Sequence, residues 1–423
     1  LKLHTPLTHF FATRLLPVLV CSLLCGDLLA GDSLYARYPF LHLQYKRLFF
    51  SKDSSSFLKL YKKMDQLKED KNVRVNMVHM GGSHVQGGTW SNAFVSAFQN
   101  EYRTAGGGYF VFPYKIARTN GQPYATSFSD GKWKRCRAVG KEFCLPLGMN
   151  AISITTNDSA NYFGVALTRR AACKYVNTVK VYHNFNPSFE FRPALKDSFK
   201  VDRKEYKKNG YTLFRFDMPV DSVIFELVRI DTLNRDFILY GFSLENNMTA
   251  GFYMAGLGAN GASSSSFLRA VDLVPQLESI EGDVFILSLG VNDTQSKAFG
   301  KEEYIENYDT LITLIRRANP DAAIILTTTT DNFIRYKNPN RRTVTAREAM
   351  FELMDKHQVA VWDLFSLMGG YRSMLRWQKE GLASKDKVHF TNRGYTLLGQ
   401  LMYDALNTSY LNYQKKENDR LNK

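Results

Sequence analysis

The stretch VRVNMVHMGGSHVQGGTWSNAFVSAF, residues 73–98, decides the fold. Alternating, β-branched residues over 73–80 predict a strand, Gly81 and Gly82 supply a tight turn, and after Ser83 an apolar pattern through Trp90, Phe94 and Phe98 has helical spacing. The same succession returns downstream. Residues 284–289 form a buried-strand run, and Tyr304, Tyr308, Leu311, Ile312 and Ile315 repeat at helical spacing up to Pro320. Residues 322–328 and 359–362 read as further strands around a helical segment at 347–357. Strands alternating with helices predict an α/β domain, a parallel sheet covered on both faces.

Between 122 and 246 the texture changes. Short alternating runs at 151–155, 179–182, 211–216, 223–228 and 237–244 follow one another without a long amphipathic helix, which predicts an all-β sandwich module inserted in the α/β pattern. A chain of 423 residues exceeds the roughly 100–200 of a usual single domain, in keeping with two units. The expected organisation is a leader over 1–30, the first α/β piece over 31–121, the sandwich over 122–246, the second α/β piece over 247–412 and a solvated charged tail over 413–423.

Hydrophobic residues make up 44% and aromatics 13%, enough to fill cores and to exclude a disordered chain. Lys2 and Arg14 precede an apolar run over 15–25 in the layout of a secretory signal peptide, with a retained anchor or a buried helix as alternatives. That run is short of the roughly 20 apolar residues of a membrane span. The protein is therefore expected to be exported, to a periplasmic or cell-envelope location. Beyond the leader, Cys136, Cys144 and Cys173 are odd in number; Cys136 and Cys144 are spaced either to close a small disulfide loop or to stay as buried thiols. No Cys/His spacing suggests zinc, and neither a metal nor a cofactor is expected. The net charge of +15 favours anionic surroundings such as acidic glycans or lipid, the clearest basic run is GKWKRCRAVGK at 131–141, and no nucleic-acid module is visible.

Four segments carry residues suited to acyl chemistry. In HMGGSHVQGGTW (79–90) the turn presents the Ser83 hydroxyl at the C-terminal edge of the sheet, where open α/β folds bind ligands, and beside a helix N-terminus that favours negative charge. YMAGLGANGASSSSF (253–267) is a glycine-rich loop whose backbone N–H groups can reach an oxyanion, with Gly261 the chosen donor and Gly258 the reserve. FILSLGVNDTQ (285–295) runs from a strand into Asn292, whose side-chain amide can donate to a tetrahedral intermediate. KDKVHFTNRGY (385–395) sets Asp386 three residues before His389, so that a carboxylate can orient the imidazole that deprotonates the serine.

In this order the four segments resemble the blocks of the SGNH (GDSL-like) hydrolases, over about 73–406. The resemblance implies an SGNH-type, flavodoxin-like three-layer domain in which Ser83 is the nucleophile, His389 the base and Asp386 its partner. Gly261, Asn292 and the N–H of Ser83 would form the oxyanion hole. GGSHVQGG together with AGGGYFVFPYKIARTNG (105–121) is further similar to envelope SGNH proteins that include peptidoglycan O-acetylesterases, some with a β-sandwich module in the hydrolase domain. That likeness implies an esterase acting on an O-acetylated envelope glycan such as peptidoglycan. The alternatives are O-acetyl transfer in partnership with a membrane acyltransferase and a catalytically silent glycan-binding protein. One position departs from the family: Gly82 stands where an aspartate is usual.

Overall fold

A computed structural model describes residues 34–69, 72–139, 144, 146–194, 200–233 and 235–422. The expected leader at 1–30 and Lys141 of the basic run lie outside them. The chain enters through strand β1 (Leu48–Phe50) and a helix, Leu58–Glu69, and reaches β2 (Arg74–Gly81). A single helical turn (Ser83–Gln86), the helix Thr89–Glu101 and β3 (Gly106–Val111) follow. Ten strands come next: β4 (Ala125–Ser129), β5 (Lys134–Arg137), β6 (Ile152–Thr156), β7 (Ala160–Leu167), β8 (Val176–His183), β9 (Phe189–Pro193), β10 (Val201–Tyr206), β11 (Tyr211–Val220), β12 (Ser222–Arg229) and β13 (Phe237–Asn246). The α/β pattern resumes with β14 (Gly251–Gly258), β15 (Val284–Ser288), β16 (Ala323–Thr327), the short hairpin β17 (Phe333–Ile334) and β18 (Asn338–Pro339), and β19 (Ala360–Trp362).

The α/β half of the molecule is a parallel sheet in the order β19-β16-β15-β2-β14-β3, with β1 antiparallel at one edge. β2, β3, β14 and β16 are nearly or wholly buried along their length, as strands covered on both faces must be. Within the sheet, β14-β2-β15-β16-β19 is the doubly wound 2-1-3-4-5 order, whose ligand crevice opens where the chain reverses direction, between β2 and β15. Right-handed crossovers put the helices Lys301–Ala318 and Arg342–His357 on one face and Thr89–Glu101 on the other. Thr89–Glu101 packs against the closing helix Asn392–Leu421 at Gly399, where a Cβ would come within 2.5 Å of Ala93 Cβ. Among the described residues no helix is long and apolar enough to cross a membrane.

Beyond β3 the sheet does not stop. β13 pairs antiparallel with β3, placing Phe242 opposite Val111, then β8, β11 and β10 continue the same sheet. β4, β7, β12 and β9 form a separate antiparallel sheet that packs onto this extension. Phe163, Phe191 and Phe225 of the smaller sheet meet Phe214, Phe237 and Phe242 of the larger, with ring centroids from 5.2 Å (Phe214–Phe225) to 6.2 Å (Phe225–Phe242) apart. The sandwich therefore shares one of its two sheets with the α/β domain. One local expectation is corrected. The segment read as a glycine-rich loop from 253 is strand as far as Gly258, because its small residues let β14 lie close between β2 and β3. The residues expected as a solvated tail are exposed over 415–422 apart from the half-buried Glu417, and they extend the last helix to Leu421, which Tyr410 and Tyr413 fasten to the Tyr61 ring at 5.9 and 5.1 Å.

Candidate active site

β2 ends at Gly81, where any Cβ would meet Val85 Cγ2 at 2.4 Å and the Ser288 carbonyl at 2.9 Å. The chain can therefore turn at once into Ser83–Gln86. The amides of Val85 and Gln86 bond the Gly82 carbonyl at 3.1 and 3.0 Å, while the Ser83 N–H, first in its turn, has no intrahelical acceptor. His389 lies ahead of the closing helix with Nε2 at 2.8 Å from Ser83 Oγ and Nδ1 at 2.7 Å from Asp386 Oδ2. Asp386 Oδ1 accepts the Val388 and His389 amides, each at 2.9 Å. Burial opposes ionisation of this carboxyl, yet the hydrogen bonds from the His389 side chain and from the two amides hold it below the usual carboxylate range.

The chain leaves β15 through Gly290, whose φ of +121° and a would-be Cβ 2.4 Å from Tyr304 Oη leave room for glycine alone. Asn292 follows in the turn Val291–Gln295; its Nδ2 donates one hydrogen to the Ala262 carbonyl at 2.8 Å, and an amide NH2 has a second to give. Ser83, Gly261, Asn292 and His389 line one cleft of about 900 Å³. Gly258 does not line it: it ends β14 with its carbonyl accepting Tyr114 Oη at 2.6 Å, so Gly261, at φ +84°, is the glycine that reaches the site. The departure at Gly82 has a local reason. A Cβ there would lie 3.1 Å from Asn292 Nδ2 and 3.2 Å from the Ala262 oxygen, so the room for a side chain is taken up by the Asn292–Ala262 hydrogen bond.

Several residues outside the predicted site, among them Arg137 of the basic run and Asp293 of the Asn292 segment, hold the loop around Gly261. Gln86 Oε1 accepts the Asn260 amide at 2.6 Å and Gln86 Nε2 donates to the Asn120 carbonyl at 2.7 Å. Asp293 accepts Ser264 N–H at 3.0 Å and Ser264 Oγ at 2.6 Å. From the sandwich, Arg137 Nη1 donates to the Asn260 carbonyl at 3.3 Å, and Val139 Cγ1 stands 3.0 Å from where a Gly261 Cβ would be. Cys136 and Cys144 are joined as a disulfide across this stretch, which settles the pairing that the spacing left open, and Cys173 is buried and free. Arg170, also from the sandwich, lines the cleft itself, as does Asn120; Tyr114 is buried beneath it. The one available signal was position: Gln86 is one helical turn from Ser83, and Asp293 adjoins Asn292.

His84 adds a second imidazole beside His389, ring centroids 5.3 Å apart, with Nδ1 2.9 Å from Tyr395 Oη. Burial, then the neighbouring His389, push its pKa down to about 3, so this ring stays neutral and leaves His389 as the imidazole positioned to take a proton at the serine. Among the described residues no cluster of three or more His, Cys, Asp or Glu side chains is placed to hold a metal.

Residues 232–397 match the model of the GDSL-like Lipase/Acylhydrolase family, a span that includes Gly261, Asn292, Asp386 and His389 but not Ser83. Over these residues the chain is similar to GDSL-like acylhydrolases. Its structure is similar to one described as a peptidoglycan O-acetylesterase in action, at 18% identity, over 86% of this chain and 99% of that one, with a TM-score of 0.68. That likeness establishes the SGNH-type fold with its additional strands. A lipase/acylhydrolase from Enterococcus faecalis matches over 36% of this chain and 74% of its own at 22% identity and TM-score 0.30. An acetyl xylan esterase matches over 37% and 83% at 20% identity and TM-score 0.31. No curated protein matches the sequence.

Proposed function

We propose that this GDSL-like protein is a serine esterase that removes O-acetyl groups from a carbohydrate polymer of the cell envelope, with peptidoglycan the favoured polymer. The observation that carries the reading is the hydrogen-bonded line Ser83–His389–Asp386 opening into a cleft beside Gly261 and Asn292. His389 takes the Ser83 proton as Oγ attacks the acetyl carbon, and Asp386 stabilises the imidazolium. The carbonyl oxygen, now negative, is met by the N–H groups of Ser83 and Gly261 and by Asn292 Nδ2. His389 passes its proton to the departing sugar oxygen, then deprotonates the water that releases acetate from Ser83. The peptidoglycan O-acetylesterase whose fold this chain shares supports the choice of polymer, and the Cys136–Cys144 disulfide supports an oxidising compartment such as the periplasm.

The test is acetate release from O-acetylated peptidoglycan and from a soluble acetyl ester. Ser83→Ala should lose at least about 10³-fold in kcat while keeping the circular dichroism and Tm of the parent. Undiminished turnover by that variant would remove Ser83 from the chemistry; acetylated glycan formed without free acetate would replace hydrolysis by transfer.

A further inference from the structure

The cleft at Ser83 is one of three recesses that share walls. Gly121 borders both the cleft and a small recess of about 180 Å³, and Lys115 and Ser127 border both that recess and an outer one of about 310 Å³. Arg118, Phe128 and Trp133 complete the outer recess. The recesses thus succeed one another from Ser83 along 113–121 to the sandwich.

Its outer end carries two cations that no carboxylate pairs among the described residues. Lys115 and Arg118 are exposed, and neither makes an ion pair among the described residues. Arg118 is held at φ +51°, with its carbonyl and that of Ala117 accepting Arg135 Nη1 at 3.3 and 3.1 Å, so the basic strand β5 clamps the segment that presents it. Asp130 accepts the Tyr162 amide at 2.7 Å and Asp158 the Lys132 amide at 2.6 Å, so main-chain donors orient both carboxylates and neither pairs with Lys115 or Arg118. Burial, then repulsion from Arg135, lowers the pKa of Arg137 on the same strand. Trp133, fixed by its Nε1 donating to Ser129 Oγ at 2.8 Å, and Phe128 give the recess an aromatic border.

We propose that the three recesses hold one polysaccharide chain, with the O-acetylated sugar at Ser83 and a carboxylate-bearing unit of the same chain in the outer recess, facing Lys115 and Arg118 against Phe128 and Trp133. The substrate class is then a carboxylated glycan rather than a neutral one. The inference rests on the esterase reading for the sugar at Ser83, but the outer site binds whether or not turnover occurs.

The experiment uses Lys115→Ala/Arg118→Ala, with Lys415→Ala/Lys416→Ala on the closing helix as the charge-matched control. Kinetics are read on O-acetylated peptidoglycan, acetylated polygalacturonate, acetylated xylan and p-nitrophenyl acetate, and binding of unacetylated polygalacturonate is read by calorimetry. The double variant at the outer recess should lose about tenfold in kcat/KM, through KM, on at least one carboxylated polymer, and nothing on xylan or the small ester. Its polygalacturonate binding should fall by a similar factor, and the control should match wild type throughout. Equal losses on xylan, equal losses in the control, or unchanged carboxylated-polymer kinetics and binding would each overturn the outer site. Absence of turnover by wild type on every ester, with polygalacturonate binding still lost only in the Lys115/Arg118 variant, would fail the esterase and leave the carboxylate site standing.

Discussion

At Asn292 one amide hydrogen is committed to the Ala262 carbonyl and the other is left for the reacting oxygen. Asn292→Ala should therefore lower kcat by about 10²- to 10³-fold with little change in KM on a soluble acetyl ester, since the interaction is made only as charge develops. An equal rise in KM would show ground-state binding instead. Buried imidazoles govern the acid limit. His79, His84 and His183 are each pushed by burial to a pKa of about 3, below the unfolded value, so they contribute stability above pH 6.5 that is lost as the pH falls below it. Asp331, which burial pushes up to about 6, works in the opposite direction, gaining a proton in the folded state over the same range. The balance predicts a loss on the order of 2–3 kcal/mol per pH unit between pH 6 and 5, readable as a falling urea midpoint; a flat midpoint would mean that the rings are not held neutral. Ser83, Asn292, Asp386 and His389 were legible in the sequence because their chemistry demands given residue types at short fixed spacings, and the structure brings all four together. Gln86 was not legible, because the amide that it holds is 174 positions away, and no local pattern records a partner at that distance.

The element that decides the geometry of the site is the loop 259–264, gripped by Gln86, Asn292 and Asp293 from the α/β domain and by Arg137 and Val139 from the sandwich. The Cys136–Cys144 bridge fixes the strand end that carries the last two. Cys136→Ser/Cys144→Ser should then slow turnover of a small ester several-fold through kcat, with faster hydrogen exchange at 260–262 and unchanged exchange in β15. Unaltered exchange at the loop would make the bridge a staple of the sandwich alone. The sequence showed the buried strands of the α/β half because unbroken apolar runs admit few other readings. It hid β14, whose glycines imitate a loop, and it hid the exposed strand β10, with four charged residues among its six.

In the whole molecule the β3–β13 pairing makes one sheet out of two units. Unfolding should accordingly be a single transition: Phe225→Ala, far along the sandwich core, is expected to cost about 3–5 kcal/mol and to shift the loss of ester turnover and the loss of circular dichroism together. Two separated transitions would show that the units fold independently. The change of period at 122 and its return after 246 are visible without coordinates. The shared strand pairing is invisible there, because main-chain hydrogen bonds carry little record of which neighbour they join. The β3–β13 pairing also bears on how such a protein can be re-engineered or diversify by descent. A sandwich joined through flexible linkers could be traded as a cassette, but removing 122–246 here would strip β3 of its outer neighbour and leave a bare row of amides and carbonyls two strands from the strand that leads to Ser83. New binding preferences should then arise by altering loops on a retained sandwich, not by shuffling one module for another.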